Sequence, residues 1–271
     1  MKVEYILILL SPLFITAIVL ERLKLKNKYS LKELCLNISL ALSHQIVDML
    51  VMILLMPLLI WLHLNFSLFS FEISFLAVLP AFVLQDFLYY WFHRASHQCA
   101  WLWSAHVVHH SSLHMNFSTA LRQSLFYPLT GMWLFWIPLI LIGYPPQFVF
   151  SLVALNLAFQ FFIHTEIGPE LKYIESIFNT PRHHCIHHAT NPHCIDRNYA
   201  GVLIIWDKLF GTFQTYNPNE VLVFGVNEHR YSMSFLDVIF TPWGILFNNL
   251  KKQKNVRNII KTLFGAPLKH K

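Results

Sequence analysis

The sequence predicts an all-α, multi-pass helical membrane protein of about four to five spans, carrying a histidine-rich helical cap on its cytoplasmic side. Composition is the first reason: of 271 residues, 55% are hydrophobic and 13% charged, where an ordinary soluble domain has about a quarter of its residues charged. The second is that the apolar residues collect into runs of span length separated by short polar stretches. The third is that nine of the sixteen histidines fall in three short segments that look like the ends of apolar helices.

Residues 3–20 are nearly uncharged and just long enough to cross the hydrocarbon core at about 1.5 Å per residue. No small-residue cleavage site with a polar mature segment follows, so this run is expected to be retained as a span. Arg22, Lys24, Lys26, Lys28 and Lys32 come next. Residues 34–64 form a second run, containing Pro57 and a polar patch of Ser43, His44, Gln45 and Asp48 that should face protein or water. A third run, 73–92, carries Pro80 and Asp86 and leads into the first histidine pair. Runs four (125–142) and five (147–163) are joined by Gly143, Tyr144, Pro145 and Pro146, a connection short enough to require a tight hairpin.

The basic segment 22–32 marks a cytoplasmic end by the positive-inside rule. Span two then leaves and span three returns, and the hairpin of spans four and five ends on the same side, so every histidine cluster is expected on one membrane face. Residues 234–250 are apolar with Pro242 and Trp243, and fit either an interfacial or a packed C-terminal helix. Beyond Asp237 the tail has no acid but seven Lys and Arg residues. The expected organisation is one domain over 1–271, with N-terminal spans at 3–64, a motif core at about 80–215 and a basic tail at 234–271. The net charge of +6 sits beside apolar runs, which points to membrane surface and away from nucleic acid. Cys35, Cys99, Cys185 and Cys194 show no CxxC spacing, so neither a disulfide framework nor a zinc knuckle is expected.

His93 and His97 are spaced i, i+4, and His106, His109 and His110 are spaced i, i+3, i+4, as are His184, His187 and His188. Such spacing brings imidazoles to one side of a helix. His164 closes the fifth run and is placed to reach the same space. Crowding this many protonatable rings is favourable only around a metal or an unusual hydrogen-bond network. Eight or nine imidazoles exceed what one ion uses, so two ions are implied. Imidazole binds zinc, copper, iron and nickel alike. Carboxylates that would bridge a hydrolytic zinc pair are scarce, with only Asp86, Glu166 and Asp196 near, and an iron pair activating O2 fits better. Isolated His44, His63, His229 and His270 are read as packing or hydrogen-bonding residues.

Asp86, Tyr90, Trp91, His93, Arg94 and His97, then Trp103, His106, His109 and His110, then Pro181, His184, His187 and His188, and finally Asn198, Tyr199, Trp206, Asp207, Phe210, Gly211 and Thr212 together resemble the membrane fatty acid hydroxylase and sterol desaturase superfamily. The strings at 109–124, 161–166 and 191–213 are most similar to its alkylglycerol monooxygenase branch. The resemblance implies hydroxylation of a lipid at a di-iron centre, and in that branch cleavage of an ether lipid with tetrahydropterin as reductant. Gln98 and Leu113 stand where acids often occur in that branch.

The expected iron ligands are His93, His97, His106, His109, His110, His164, His184, His187 and His188. His183 is an alternative ligand or a hydrogen-bonding neighbour of one, and Asp86, Asp196 and Asn198 are expected to support the ligands or act as cap and turn residues. Arg122 and Gln123 are candidates for a lipid headgroup contact, with snorkelling the competing reading of Arg122. Residues 206–213 are expected to pack the cap. The substrate expected is a sterol, fatty acyl or alkyl ether lipid, oxidised by O2 through hydroxylation or desaturation. Electrons must come from outside, from a ferredoxin, a reductase or a pterin, because the chain has no dinucleotide fingerprint, no CxxCH and no iron–sulfur cysteine pattern. Two other functions compete: a membrane carrier of metal or haem, and a scaffold of the same fold without chemistry. Compact length and the lack of a retrieval signal suggest a bacterial inner membrane.

Overall fold

The computed structural model describes residues 3–25, 29–227 and 231–267. Lys26, Lys28, His229 and His270 lie outside them. Among the described residues there are ten α-helices, several 3₁₀ turns and no strand, only the isolated bridges Phe178–Leu203 and Ala189–Phe224. The helices are α1 (Val3–Lys24), α2 (Leu31–Phe66), α3 (Phe75–Gln98), α4 (Ala100–His110), α5 (Ile137–Ile142), α6 (Pro146–Ile163), α7 (Pro181–His188), α8 (Ile205–Leu209), α9 (Phe235–Lys251) and α10 (Val256–Phe264).

Helices α2 and α6 are long and apolar enough to cross a membrane. Their neighbours α1 and α3 run 22 and 24 residues. Large apolar side chains cover their outer faces: Leu9, Leu13 and Leu20 on α1, Leu50, Ile53 and Leu54 on α2, and Leu76 and Leu79 on α3 are all exposed. Contiguous apolar surface of this kind calls for lipid or a partner. Inside, Trp136, Leu139, Ile140 and Leu152 are almost fully buried with Tyr89 and Phe92, which joins α3, α5 and α6 into one core.

The fourth run is not the continuous helix expected at 125–142. It breaks into 3₁₀ turns at Tyr127–Thr130 and Met132–Trp136 before the six-residue α5. Pro128 and Pro138 each remove a helical donor, and Gly131 sits at φ +86°, so a regular ladder cannot pass through. The hairpin expected between runs four and five is present. Its tip is stitched to the loop after α2 by Leu68 N–H to Leu141 O (2.7 Å) and Phe69 N–H to Ile142 O (3.1 Å), and Phe71 stacks on Tyr144 at 4.8 Å. Gly143 adopts φ +132°, and a Cβ there would lie 2.2 Å from Phe69 O, so only glycine closes this turn.

The opposite end of the bundle gathers the start of α2, the end of α1 and the segments between later helices. Buried Glu21 accepts from Tyr29 Oη, Thr165 Oγ1 and Phe117 N–H, and buried Glu33 accepts from Ser112 Oγ at 2.6 Å. Arg22 and Lys24, at the end of α1, therefore lie at the same end of the bundle as the segments that carry the histidines.

Candidate metal centre

Two groups of imidazoles face one another at that end. His93, His97, His106, His110 and His187 form one, and His109, His164, His184 and His188 form the other; within each, one nitrogen per ring lies within 4.8 Å of the rest. All nine rings are buried. Every histidine that the spacing singled out as a ligand falls in one group or the other.

How the helices divide the rings was not visible in the spacing. In each HxxHH string the residues four apart enter one group and the residue between them enters the other: His106 and His110 sit together and His109 across, while His184 and His188 sit together and His187 across. Positions i+3 and i+4 point about 100° apart around a helix of 3.6 residues per turn. One short helix therefore serves two centres. The groups meet where His110 stacks on His188, ring centroids 4.3 Å apart.

The nitrogens that converge are Nε2 atoms. His93 to His106 is 3.0 Å, His106 to His97 3.1 Å and His106 to His110 3.2 Å; in the other group His164 to His109 is 3.0 Å, His164 to His184 2.9 Å and His184 to His188 3.2 Å. Ligands at right angles, each about 2.1 Å from a transition metal, would be separated by ~3 Å. Lone pairs converging at that separation repel unless a cation lies among them. The opposite nitrogens settle which tautomer faces inward. His93 Nδ1–H donates to Tyr199 O (2.8 Å), His109 Nδ1–H to Arg122 O (3.3 Å), His164 Nδ1–H to Gln160 O (2.6 Å) and His187 Nδ1–H to Arg197 O (2.9 Å). Each such bond leaves an Nε2 lone pair aimed at the centre. Burial also favours the neutral form of five rings: desolvation pulls His109 down to about 4, and His110, His164, His184 and His188 fall well below the ordinary value through desolvation first and neighbouring rings second. Nine buried imidazoles in two groups, four of them held with Nε2 inward by backbone carbonyls, suit two ions that accept nitrogen donors.

One turn orients three rings of the larger group. Asp196 and Asn198 both take left-handed backbone, φ 58° and 55°, which Asp and Asn tolerate better than other side chains. This turn offers Arg197 O to His187 and Tyr199 O to His93, and sets the Asp196 carboxylate 3.5 Å from His97 Nδ1. Asn198 meets no imidazole. Its amide clamps the turn, donating to His183 O and Gln214 O and accepting from Gln214 N–H.

Other expectations need correction. Asp86 reaches no histidine: its carboxylate accepts from Asn156 Nδ2, Val202 N–H, Leu203 N–H and Trp206 Nε1, all at 2.8–2.9 Å. It fastens the segment before α8 to α3 and α6. His183 joins neither group and packs edge-on against Phe213 at 5.4 Å. Arg122 neither snorkels nor reaches toward a headgroup. It is 1% exposed, with Nε donating to Val108 O and Ser111 Oγ, one terminal nitrogen donating to Asn37 Oδ1, and Glu33 at 3.9 Å. Gln123 makes a local bond to Ala120 O. Gln98 and Leu113 are both exposed, outside the two groups. His44 and His63 meet backbone carbonyls, as expected of isolated histidines.

Two supports escaped the sequence reading. Asn156 and Gln160, two turns and one turn before His164 on α6, link α6 to α3 through Asp86, Gln85 and Tyr89. Polar residues at i, i+4 and i+8 in an otherwise apolar run were the available signal. Asp207, assigned to packing, is fully buried and accepts from Tyr199 N–H, Ala200 N–H and Thr212 Oγ1, which fixes the carbonyl that His93 uses.

Residues 78–212, which carry all nine rings, match the fatty acid hydroxylase family. Over 187 residues, 69% of the chain, the sequence is 40% identical to alkylglycerol monooxygenase of Danio rerio and 42% identical to that of Homo sapiens. It is 31% identical over 141 residues, 52% of the chain, to an ornithine lipid hydroxylase of Rhizobium tropici, of which the match covers 42%. The chain spans about two fifths of the length of the curated relatives it matches, 41% for the fish and human proteins. No solved structure matches. With the family match lying across the histidine groups and these relatives alongside it, the chain belongs to the fatty acid hydroxylase family, on its alkylglycerol monooxygenase branch.

Proposed function

We propose that this chain is an O2-dependent di-iron monooxygenase that hydroxylates a C–H bond of a membrane lipid. The observation that carries the proposal is the gathering of nine buried imidazoles into two facing groups at one end of an apolar bundle. His93, His97, His106, His110 and His187 would hold one iron, and His109, His164, His184 and His188 the other. Iron, when bound, supplies the O2 activation and the oxidising power that an unactivated C–H bond requires.

The protein's own part is to hold nitrogen lone pairs in place and keep bulk water away. Backbone carbonyls of Tyr199, Arg197, Arg122 and Gln160 hold four rings in register. Tyr199 packs on His97 at 5.2 Å and Tyr127 stacks on His106 at 5.7 Å, closing the larger group with aromatic walls. Reducing equivalents come from a separate protein or a pterin.

A lipid substrate is supported by the relatives, named as monooxygenase of alkylglycerols and hydroxylase of ornithine lipids. The centre lies on the cytoplasmic face in this reading, because it shares an end of the bundle with Arg22 and Lys24. Most of the relatives are animal proteins, so they add no weight to a bacterial membrane. Desaturation would begin with the same hydrogen removal; lipid analysis separates the two. Lipids from cells lacking the gene and from complemented cells should differ by one hydroxyl or a cleaved ether, only when O2 is supplied. A difference that persists without O2 would overturn the proposal.

A further inference from the structure

Beside the histidine groups lies a second, larger space. A cavity of about 480 Å³ opens between α4, α9 and α10, within the range of sites that hold small ligands. It is rigidly framed, since Ala100 N–H donates to Gly265 O at 2.9 Å and ties the end of α10 to the start of α4. Its floor is apolar, with buried Val107 and Leu246, while its rim carries the amides of Asn249 and Gln253 and the ammonium of Lys261. Among the described residues no carboxylate lines it. Lys251, Lys252, Lys254 and Arg257 lie on or between the same two helices, and no acid follows Asp237.

Trp103 forms part of the wall of this cavity and also of a much smaller one, about 50 Å³, that His97, His110, His187 and His188 line. Its ring centre is 5.1 Å from that of His97 and 5.6 Å from that of His110. One indole therefore separates the larger cavity from the histidines.

We propose that the cavity between α4, α9 and α10 binds a single-chain lipid with an anionic, phosphate-bearing head, and that Trp103 is the partition between this lipid and the metal centre. The head meets Lys261 and the two amides, and the chain lies on Val107 and Leu246 toward Trp103. The inference rests on the oxygenase reading, since it names the class of lipid that waits beside that centre.

The test uses the purified full chain in nanodiscs of neutral lipid, with hexadecyl phosphate carrying a photoactivatable diazirine in its tail and an uncharged hexadecylglycerol probe with the same tail. Peptide mapping after illumination should find the phosphate probe on 103–107 and 246–253. Lys261→Met should raise its half-saturating concentration about tenfold, the lower end for a hydrogen bond to a charged group, and leave the uncharged probe unchanged. Val107→Trp should abolish labelling by both, and Trp103→Ala should extend it to the α7 peptide. Labelling spread over α1 and α2, or half-saturation indifferent to Lys261→Met, overturns the proposal; because Lys261 is exposed, that variant stays informative if Val107→Trp does not fold. Iron is measured on every sample. The expected labelling pattern in a protein that holds no iron supports the lipid site while defeating the oxygenase reading, so the two failures are distinct.

Discussion

Removing the Asp86 carboxylate should loosen the metal centre from a distance, although it touches no histidine. Oδ1 accepts from Asn156 Nδ2 and Val202 N–H, and Oδ2 from Leu203 N–H and Trp206 Nε1. Asp86→Ala leaves four donors at a fully buried position without their acceptor, and each stranded donor costs at least about 1 kcal/mol. Asp86→Asn keeps one oxygen and so strands two. The series should therefore lose roughly 2 kcal/mol for Asn and roughly 4 kcal/mol for Ala, a large share of a typical stability of 5–15 kcal/mol. Three of these donors belong to the segment that begins at Tyr199, whose carbonyl holds His93, so iron content should fall in the same order. Thermal unfolding in detergent, with elemental analysis of the folded fraction, measures both. Wild-type stability and full iron in Asp86→Ala would refute the reasoning.

Three other outcomes follow from the same geometry. His109→Ala cuts the smaller group to three donors and His187→Ala cuts the larger to four, so His109→Ala should lose its iron at lower chelator concentration, as followed by chelator titration. Arg122→Ala strands Asn37 Oδ1 and leaves buried Glu33 without its cation, a loss of about 3–5 kcal/mol by thermal unfolding, whereas lipid preference in the protein that remains folded should not change. The Asp207 carboxyl is raised by burial from 3.8 to about 6, so the folded protein binds this proton more tightly than the unfolded chain. Its contribution to stability is then greatest below pH 4 and declines as pH rises through about 6, by on the order of 3 kcal/mol in total; Asp207→Asn should flatten that part of the stability profile, read by unfolding between pH 4 and 7.

Much of the centre was legible because metal binding fixes residue type and helical spacing together. His93 and His97, and the two HxxHH strings, announce themselves against an apolar background. Their division into two groups did not, since it depends on how α3, α4, α6 and α7 are rotated against each other. The broken fourth run shows a second limit: hydropathy averages over Pro128, Gly131 and Pro138 and sees only an apolar stretch. Arg122 shows a third. Near an apolar run an arginine suggests a membrane surface, yet its partners Asn37 and Glu33 lie some 85 residues earlier in the chain and become visible only in the fold. Asp86 and Asp207 were misjudged for another reason: two of the partners of each are backbone amides, which no side-chain pattern reports.

The most direct measurement is metal analysis joined to Mössbauer spectroscopy on the full chain produced with ⁵⁷Fe. Two irons per chain in nitrogen-rich sites, falling toward one when His109 is replaced by alanine, is the predicted result. A chain that is folded and free of iron, or that keeps both irons without His109, would contradict it.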